Sequence, residues 1–185
     1  MGNKSNTMSI KNQILCRLNQ CTLAILISLS VLCFNQSNAA TIYVKHNASG
    51  SNNGTSWTNA YNALQDAINA SSAGDEIWVA AGTYKPTRIP SNGNISTTSR
   101  DLSFYLDKNI GIYGGFTGTE TAKSQRDISS NEVILSGDIG TIGSSSDNCY
   151  HVMILESLGS SGSLNNVTIQ NGNANGSSSY SYSGN

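Results

Sequence analysis

The sequence predicts an all-β fold, a right-handed single-stranded parallel β-helix with an N-terminal capping α-helix. Three observations predict it. Short β-branched runs recur along the chain, Gly, Asn and Ser separate them, and one amphipathic stretch of helical length precedes them. A hairpin meander would need connections of about two residues, whereas the observed intervals suit the coils of a solenoid.

The β-branched runs define the predicted coils. They lie at residues 77–79, 110–112, 133–135, 152–154 and 167–169, and their first residues are 33, 23, 19 and 15 positions apart. We expect each run to pair in parallel with the preceding run, so that the stacked apolar side chains share one core. Ile77 and Val79 should face the core and Trp78 the opposite side, because side chains alternate along a strand.

The capping helix is predicted at about residues 57–71. Four apolar residues follow the spacing 4, 3 and 4, which places them on one face: Trp57, Tyr61, Leu64 and Ile68. Five polar residues occupy the other side: Asn59, Asn62, Gln65, Asp66 and Asn69. Ser56 or Thr58 is placed to cap the start, and Gly74 lies past the end. This helix would cover the otherwise open first edge of the sheet.

Residues 1–40 are predicted to be a signal peptide. Three bases and no acid accompany an apolar stretch at 23–34, and this stretch is shorter than the roughly 20 residues that span a bilayer. Ser37 and Ala39 supply small side chains at positions −3 and −1 of a cleavage after Ala39; cleavage after Ala40 is the alternative. We expect a secreted or cell-surface protein, with an uncleaved membrane anchor as the alternative.

The remaining 145 residues carry seven bases and eleven acids. This balance excludes a strongly basic nucleic-acid binder. Cys149 is the one cysteine left after residue 40, which excludes a disulfide scaffold, and we expect it to be a small buried side chain. No apolar run after residue 40 reaches the length of a transmembrane helix.

The domain organisation follows from these assignments. Residues 41–176 should form the N-terminal part of the β-helix domain, and residues 177–185 a Ser-, Tyr- and Gly-rich tail. Terminal repeats of a solenoid need a polar cover, which this tail does not offer. We therefore expect the β-helix to continue C-terminal to Asn185.

Several segments in order resemble one group of known proteins. Residues 42–44, 50–57, 74–84, 103–106, 113–116, 118–120, 125–127 and 135–138 are similar to the N-terminal portion of secreted bacterial right-handed parallel β-helix repeat proteins. That group resembles pectate-lyase-like folds and polymorphic outer-membrane proteins. The resemblance extends from Thr41 to Asn175 and implies the fold and surface display or secretion, without implying one activity.

Two classes of function fit these features. The first is a structural, adhesive or glycan-binding surface protein whose partner is an extracellular glycan or a host surface. The alternative is a polysaccharide lyase or glycoside hydrolase that acts on an acidic polysaccharide. Four side chains could serve a lyase, with Ca²⁺ as its cofactor: Arg126, Asp138, Asp147 and His151. A hydrolase needs two carboxylates, for which Glu156 and Asp138 are candidates. No catalytic residue is assigned, and His46 and His151 lack the spacing of a metal site.

An insertion at residues 85–101 is the strongest local indication of binding. It contains both prolines of the chain and three bases, against the single acid Asp101. Long loops inside compact domains are often functional. We therefore predict Lys85, Arg88 and Arg100 as ligand-binding residues for an anionic glycan, with an ordinary solvated loop as the alternative.

Overall fold

The computed structural model describes residues 39–90, 99–156 and 158–175 of the chain. Within these ranges the chain forms mostly β-strands, with one α-helix. In chain order the elements are β1 (Thr41–Val44), α1 (Leu64–Ala70), β2 (Glu76–Ala80), β3 (Gly82–Tyr84), β4 (Phe104–Leu106), β5 (Gly111–Phe116), β6 (Val133–Ser136), β7 (Met153–Leu155), β8 (Ser163–Asn165) and β9 (Thr168–Gln170). The predicted signal peptide, apart from its last two residues, and the predicted tail lie outside the described residues.

The described strands form three sheets, and all paired strands run parallel. Sheet 1 has the order β1-β2-β5-β8, sheet 2 the order β3-β6-β9, and sheet 3 contains β4 and β7. From β2 onward the chain visits the sheets in a fixed order: β2-β3-β4, then β5-β6-β7, then β8-β9. The prediction of a mostly β chain with parallel pairing is confirmed.

The predicted succession of β-branched runs is wrong. The runs do not stack on one another in turn, because the first two lie in sheet 1, those at 133–135 and 167–169 in sheet 2, and that at 152–154 in sheet 3. In sheet 1, Thr41 pairs with Glu76 and Glu76 with Gly111, so the interval is 35 residues. The prediction failed because it counted β-branched runs alone and so omitted strands such as β4 and β8.

One hydrophobic cluster contains buried side chains from all three sheets and from α1. Buried residues alternate with more accessible ones in β4, whereas β2 is buried on both faces. Ile77 and Val79 of β2 are fully buried, as predicted, while in β4 Phe104 and Leu106 are buried and Tyr105 is half-buried. Burying each such large apolar side chain stabilises the fold by about 1.5–3 kcal/mol.

The helix is shorter than predicted. It covers Leu64–Ala70 instead of residues 57–71, and its N-cap is Ala63, without a side-chain capping bond. The residues before it hydrogen-bond to β1: Tyr43 N–H donates to the Gly54 carbonyl, and Tyr61 N–H donates to the Tyr43 carbonyl. A backbone that bonds sideways to a strand cannot also form the i to i−4 bonds of a helix.

Gln65 fixes α1 to the free side of β4. The prediction placed this residue on the polar side, but it is only 3% exposed. Its side-chain amide donates to the Tyr105 carbonyl at 3.0 Å and accepts from the Tyr105 N–H at 2.8 Å. The glutamine thus occupies the hydrogen-bonding position of a neighbouring strand, which satisfies both backbone groups of Tyr105.

Two further contacts hold the helix. The Lys108 ammonium donates to the carbonyls of Ile68, Asn69 and Ser71 at 3.0–3.1 Å, and so satisfies acceptors at the helix C-terminus. Asp66 pairs with Arg88 at 2.8 Å. Together with the Gln65 bonds, these contacts hold α1 beside β4, the first strand of sheet 3.

The other end of the sheets is more accessible. All three residues of β9 are exposed, including Ile169 at 46%, and Leu155 of β7 is 55% exposed. In the described part of the chain, no helix has the length and apolar character needed to cross a membrane.

We expect Gln65→Ala to lower the free energy of unfolding by about 1–3 kcal/mol, because it leaves a buried N–H and C=O of β4 without partners. The matched control is Asn69→Ala, which removes an exposed amide of the same helix whose side chain contacts Gln65. It should change the value by no more than about 0.5 kcal/mol. Urea denaturation measures both, and equal effects of the two variants would contradict the capping role of Gln65.

Candidate functional site

Two of the three predicted ligand-binding bases are bonded to the protein itself. Arg88 pairs with Asp66. The guanidinium of Arg100 donates to the carbonyls of Asn148 at 2.7 Å and Asn173 at 2.9 Å. It also lies 4.1 Å from the ring centroid of Tyr150. Arg100 therefore ties the insertion to two later segments of the chain.

Lys85 differs from these arginines, because it is exposed. In the described part of the insertion, residues 85–90 and 99–101, Lys85 is therefore the solvated cation, while the two arginines bond to the protein. The binding of an anionic glycan stays a prediction, with Lys85 as the residue that carries it.

The four lyase candidates are only partly brought together. Asp138 and Asp147 both bond to one turn: the Gly143 N–H donates to Asp138 at 3.0 Å and the Thr141 N–H to Asp147 at 2.8 Å. Arg126 lies elsewhere, against sheet 1, where its guanidinium donates to the Gly114 carbonyl. The candidate base Arg126 therefore does not lie beside these carboxylates.

The remaining catalytic candidates are also separated. The Glu156 carboxylate accepts a hydrogen bond from the Tyr105 hydroxyl, and His151 is exposed beside β7. Among the described residues, no group of three or more His, Cys, Asp or Glu side chains is placed to hold a metal ion.

His151 lines a groove of about 460 Å³ at the accessible end of the sheets. Its lining residues come from the segments around β7 and β9: Tyr150, His151, Val152, Met153, Ile169, Gln170, Asn171, Gly172 and Ala174. None of them is a carboxylate, so the groove does not supply the acid pair of a glycosidase.

Cys149 is fully buried, as predicted. Burial raises the pKa of its thiol to about 11. The thiol is therefore protonated near neutral pH, which excludes it as a nucleophile under those conditions.

Sequence reasoning missed a cluster of five aromatic side chains on sheet 1. This aromatic face consists of Tyr43, Trp57, Trp78, Tyr113 and Phe116. Tyr43, Trp78 and Tyr113 pair at one register position of β1, β2 and β5. Trp78 stacks on Phe116 with ring centroids 4.8 Å apart, and Trp57 lies 4.8 Å from Tyr43 in an edge-on arrangement. The equal spacing of residues 43, 78 and 113 was the available signal.

Two cations flank Tyr113 at the edge of the aromatic face. The Lys123 ammonium is 4.3 Å from the ring centroid of Tyr113 and pairs with Glu76, and the Arg126 guanidinium is 5.3 Å from that centroid. Partial burial raises the pKa of Glu76, but the hydrogen bonds from Lys123 and Trp78 and the charges of Lys123 and Arg126 together outweigh it, and the net pKa is lowered. Trp78 is 6% and Phe116 0% exposed, so this face mainly packs residues 117–127 onto sheet 1.

Glu120 fixes the first turn of that segment. Its carboxylate accepts hydrogen bonds from the backbone N–H groups of Thr117, Gly118 and Thr119 at 2.7–3.0 Å, and its carbonyl accepts from the Trp57 indole at 2.8 Å. Burial by itself would raise the pKa of Glu120. The backbone amides of Thr117 and Thr119 outweigh burial and lower the pKa to about 2.

Comparison with known proteins gives no relative: no family model matches the chain, and neither a curated protein nor a solved structure is detectably similar to it.

We expect Glu120→Gln to destabilise the protein at neutral pH and to remove one pH-dependent contribution to stability. The folded pKa of about 2 lies below the ordinary value of 4.5. The stabilisation is therefore complete above about pH 4.5 and is lost as the pH falls to about 2. Urea denaturation across this range should show the difference between wild type and variant shrinking toward low pH.

The control for that series is Glu132→Gln, which changes an exposed carboxylate that bonds the Thr168 hydroxyl. It should alter the free energy of unfolding by about 0.5 kcal/mol or less. A difference between wild type and Glu120→Gln that stays constant from pH 7 to about pH 2 would refute the role assigned to the Glu120 carboxylate.

Proposed function

We propose that the described residues form the first layers of a right-handed parallel β-helix, and that the protein is exported and acts at the cell surface. Its function there is structural, adhesive or glycan-binding. The order in which the chain visits sheets 1, 2 and 3 carries this proposal. A chain that returns to the same sheet in the same direction on each passage has the path of a solenoid, and solenoids present long surfaces for binding.

The two ends of the sheets support a solenoid with a start and a direction of growth. At the start, residues 54–61 bond to the edge of β1, and Gln65 bonds to the edge of β4. At the other end, Leu155 and Ile169 are exposed. We propose that further parallel strands add to β7, β8 and β9, because open strand edges pair readily with other strands.

The side chains considered for catalysis support a non-enzymatic function over a polysaccharide lyase. Asp138 and Asp147 bond to backbone amides of one turn, Arg126 bonds to a backbone carbonyl, and Glu156 bonds to Tyr105. These groups act in the fold, whereas a lyase needs a base directed at the substrate.

We expect the full chain to be retained on immobilised alginate, an acidic polysaccharide, and to release no unsaturated sugars from alginate or pectin with or without Ca²⁺. Lys85→Ala should weaken retention about twofold, because an exposed charge contributes about 0–1 kcal/mol. Retention should also fall with rising salt. Affinity chromatography and the ultraviolet absorbance of unsaturated products measure these effects.

The control is Lys45→Ala, which removes the same charge from a half-buried residue outside the insertion. It should leave retention unchanged. Retention that neither Lys85→Ala nor salt affects would contradict glycan binding through the insertion, and release of unsaturated products would favour the lyase alternative.

We propose that export includes cleavage after Ala39, because the fold uses the nitrogen of Ala40. The Ala40 N–H donates to the Asp75 carboxylate at 2.8 Å, and the Ala40 carbonyl accepts from the Glu76 N–H at 2.8 Å. Asp75 is only 8% exposed. After this cleavage the same nitrogen would be an α-ammonium, which forms a stronger, charge-assisted bond to a carboxylate. Cleavage after Ala40 would remove both bonds.

We expect the exported protein to begin at Ala40, which intact-mass spectrometry and N-terminal sequencing can establish. Asp75→Asn should lower the stability of the exported form, because the ammonium loses its counter-charge, while the control Asp107→Asn, at an exposed aspartate, should leave it nearly unchanged. A chain that begins at Thr41 would refute the role of Ala40, and a chain that retains residues 1–38 would refute export through a cleaved signal.

A further inference from the structure

The loop between β6 and β7 brings two carboxylates to a single turn. In this acidic loop, residues 137–149, the Thr141 N–H donates to Asp147 Oδ2 and the Gly143 N–H donates to Asp138 Oδ2. A hydrogen bond from the Ser144 N–H to the Thr141 carbonyl at 3.0 Å closes the turn. Because the two donor nitrogens are two residues apart, they lie within about 7 Å of each other. The two carboxylates, nine residues apart in sequence, therefore bond to the same turn.

Each carboxylate uses one oxygen for that turn and buries the other. Oδ1 of Asp138 and Oδ1 of Asp147 are buried and have no hydrogen-bond partner in the protein. The backbone packs closely against Asp147, since a Cβ added at Gly140, where φ is +76°, would lie 2.8 Å from Asp147 Oδ2. Buried acceptors are normally satisfied, so two such oxygens in one turn are expected to bind a water or an ion.

Asn148 provides an independent indication at the same loop. The residue is 7% exposed, and its side-chain oxygen Oδ1 is likewise buried without a protein partner. Asn148 directly follows Asp147, and its side chain is a neutral amide, so its unpaired oxygen does not follow from the acidity of the loop. Three side-chain oxygens of this loop are thus buried and available as ligands.

The charge of the loop suits a cation. Residues 137–149 contain two acids and no base. Among the described residues, neither Asp138 nor Asp147 takes part in an ion pair. The nearby Arg100 bonds to the main-chain carbonyl of Asn148 and lies over Tyr150.

We propose that the acidic loop binds Ca²⁺ through Oδ1 of Asp138, Asp147 and Asn148. Ca²⁺ takes six to eight oxygen ligands in a flexible geometry, so backbone carbonyls or water would supply the remaining positions. Zn²⁺ prefers His and Cys ligands, whereas the three proposed ligand atoms are all oxygens. The ion would hold the two ends of the acidic loop together. With two charged ligands, an affinity near that of extracellular calcium modules, Kd of about 10⁻⁴–10⁻³ M, is expected.

The test is calorimetric titration of the chelator-treated full chain with CaCl₂, with a thermal melt in parallel. We expect saturable binding of one ion, a higher Tm in Ca²⁺, and a much smaller effect of the same concentration of MgCl₂. Asp147→Asn keeps an acceptor for the Thr141 N–H but removes the charge, and should weaken binding at least tenfold. The control Asp127→Asn removes a charge from an exposed aspartate that bonds Ser129 and Ser130, and should leave binding unchanged.

A reciprocal variant keeps the test decisive if Asp147→Asn does not fold. Asn148→Asp adds a third carboxylate to the same loop, and should tighten Ca²⁺ binding severalfold while lowering Tm in chelator. Absence of binding by the wild-type chain up to about 10 mM Ca²⁺, well above the expected Kd, would overturn the proposal. It would also be overturned by equal effects of Asp147→Asn and Asp127→Asn, by equal stabilisation in Mg²⁺, or by unchanged binding in Asn148→Asp.

Discussion

The backbone hydrogen bonds at the first edges of the parallel sheets constrain the rest of this structure. An inner strand satisfies its N–H and C=O groups on both sides, whereas an edge strand needs another partner. Residues 54–61 supply that partner for β1, and Gln65 supplies it for β4. The segment between β1 and β2 therefore covers two sheet edges. Its first half bonds to sheet 1, and its second half forms the helix that bonds to sheet 3.

The same repeat that aligns sheet 1 also creates a surface that needs covering. With an interval of 35 residues, Tyr43, Trp78 and Tyr113 fall at one register position, so large rings accumulate on the side opposite to Ile77 and Val79. Residues 117–127 pack on this side and supply cations to Tyr113. The Glu120 turn fixes the start of this cover, and its carbonyl holds the indole of Trp57. The register of sheet 1 thus creates the aromatic face on which residues 117–127 pack.

Much of sheet 1 could be predicted from the sequence, and the rest could not. The triplets at residues 42–44, 77–79 and 112–114 each join Ile to an aromatic residue at an interval of 35, which predicts the observed register. No local pattern reveals that β4 pairs with β7, because β5, β6 and their connections lie between them and Phe104 pairs with Met153, 49 residues later. Gln65 and Arg100 also bond to residues that are 40 and 48 positions away in sequence. A local pattern can therefore place these two residues in a helix or a loop, but it cannot predict their hydrogen-bond partners.

Parallel pairing fixes the register of the strands but leaves the connections between them free to vary in length. The candidate binding residues lie in the longer connections. In sheet 1 the interval between paired residues rises from 35 to 52 between Gly111 and Ser163, yet the strands remain in register. The added length lies in connections such as the acidic loop. Arg100 links the two insertions, because it extends from residues 85–101 to the carbonyl of Asn148. The proposed glycan contact at Lys85 and the proposed cation site at Asp147 thus lie in two segments that the Arg100 bond joins.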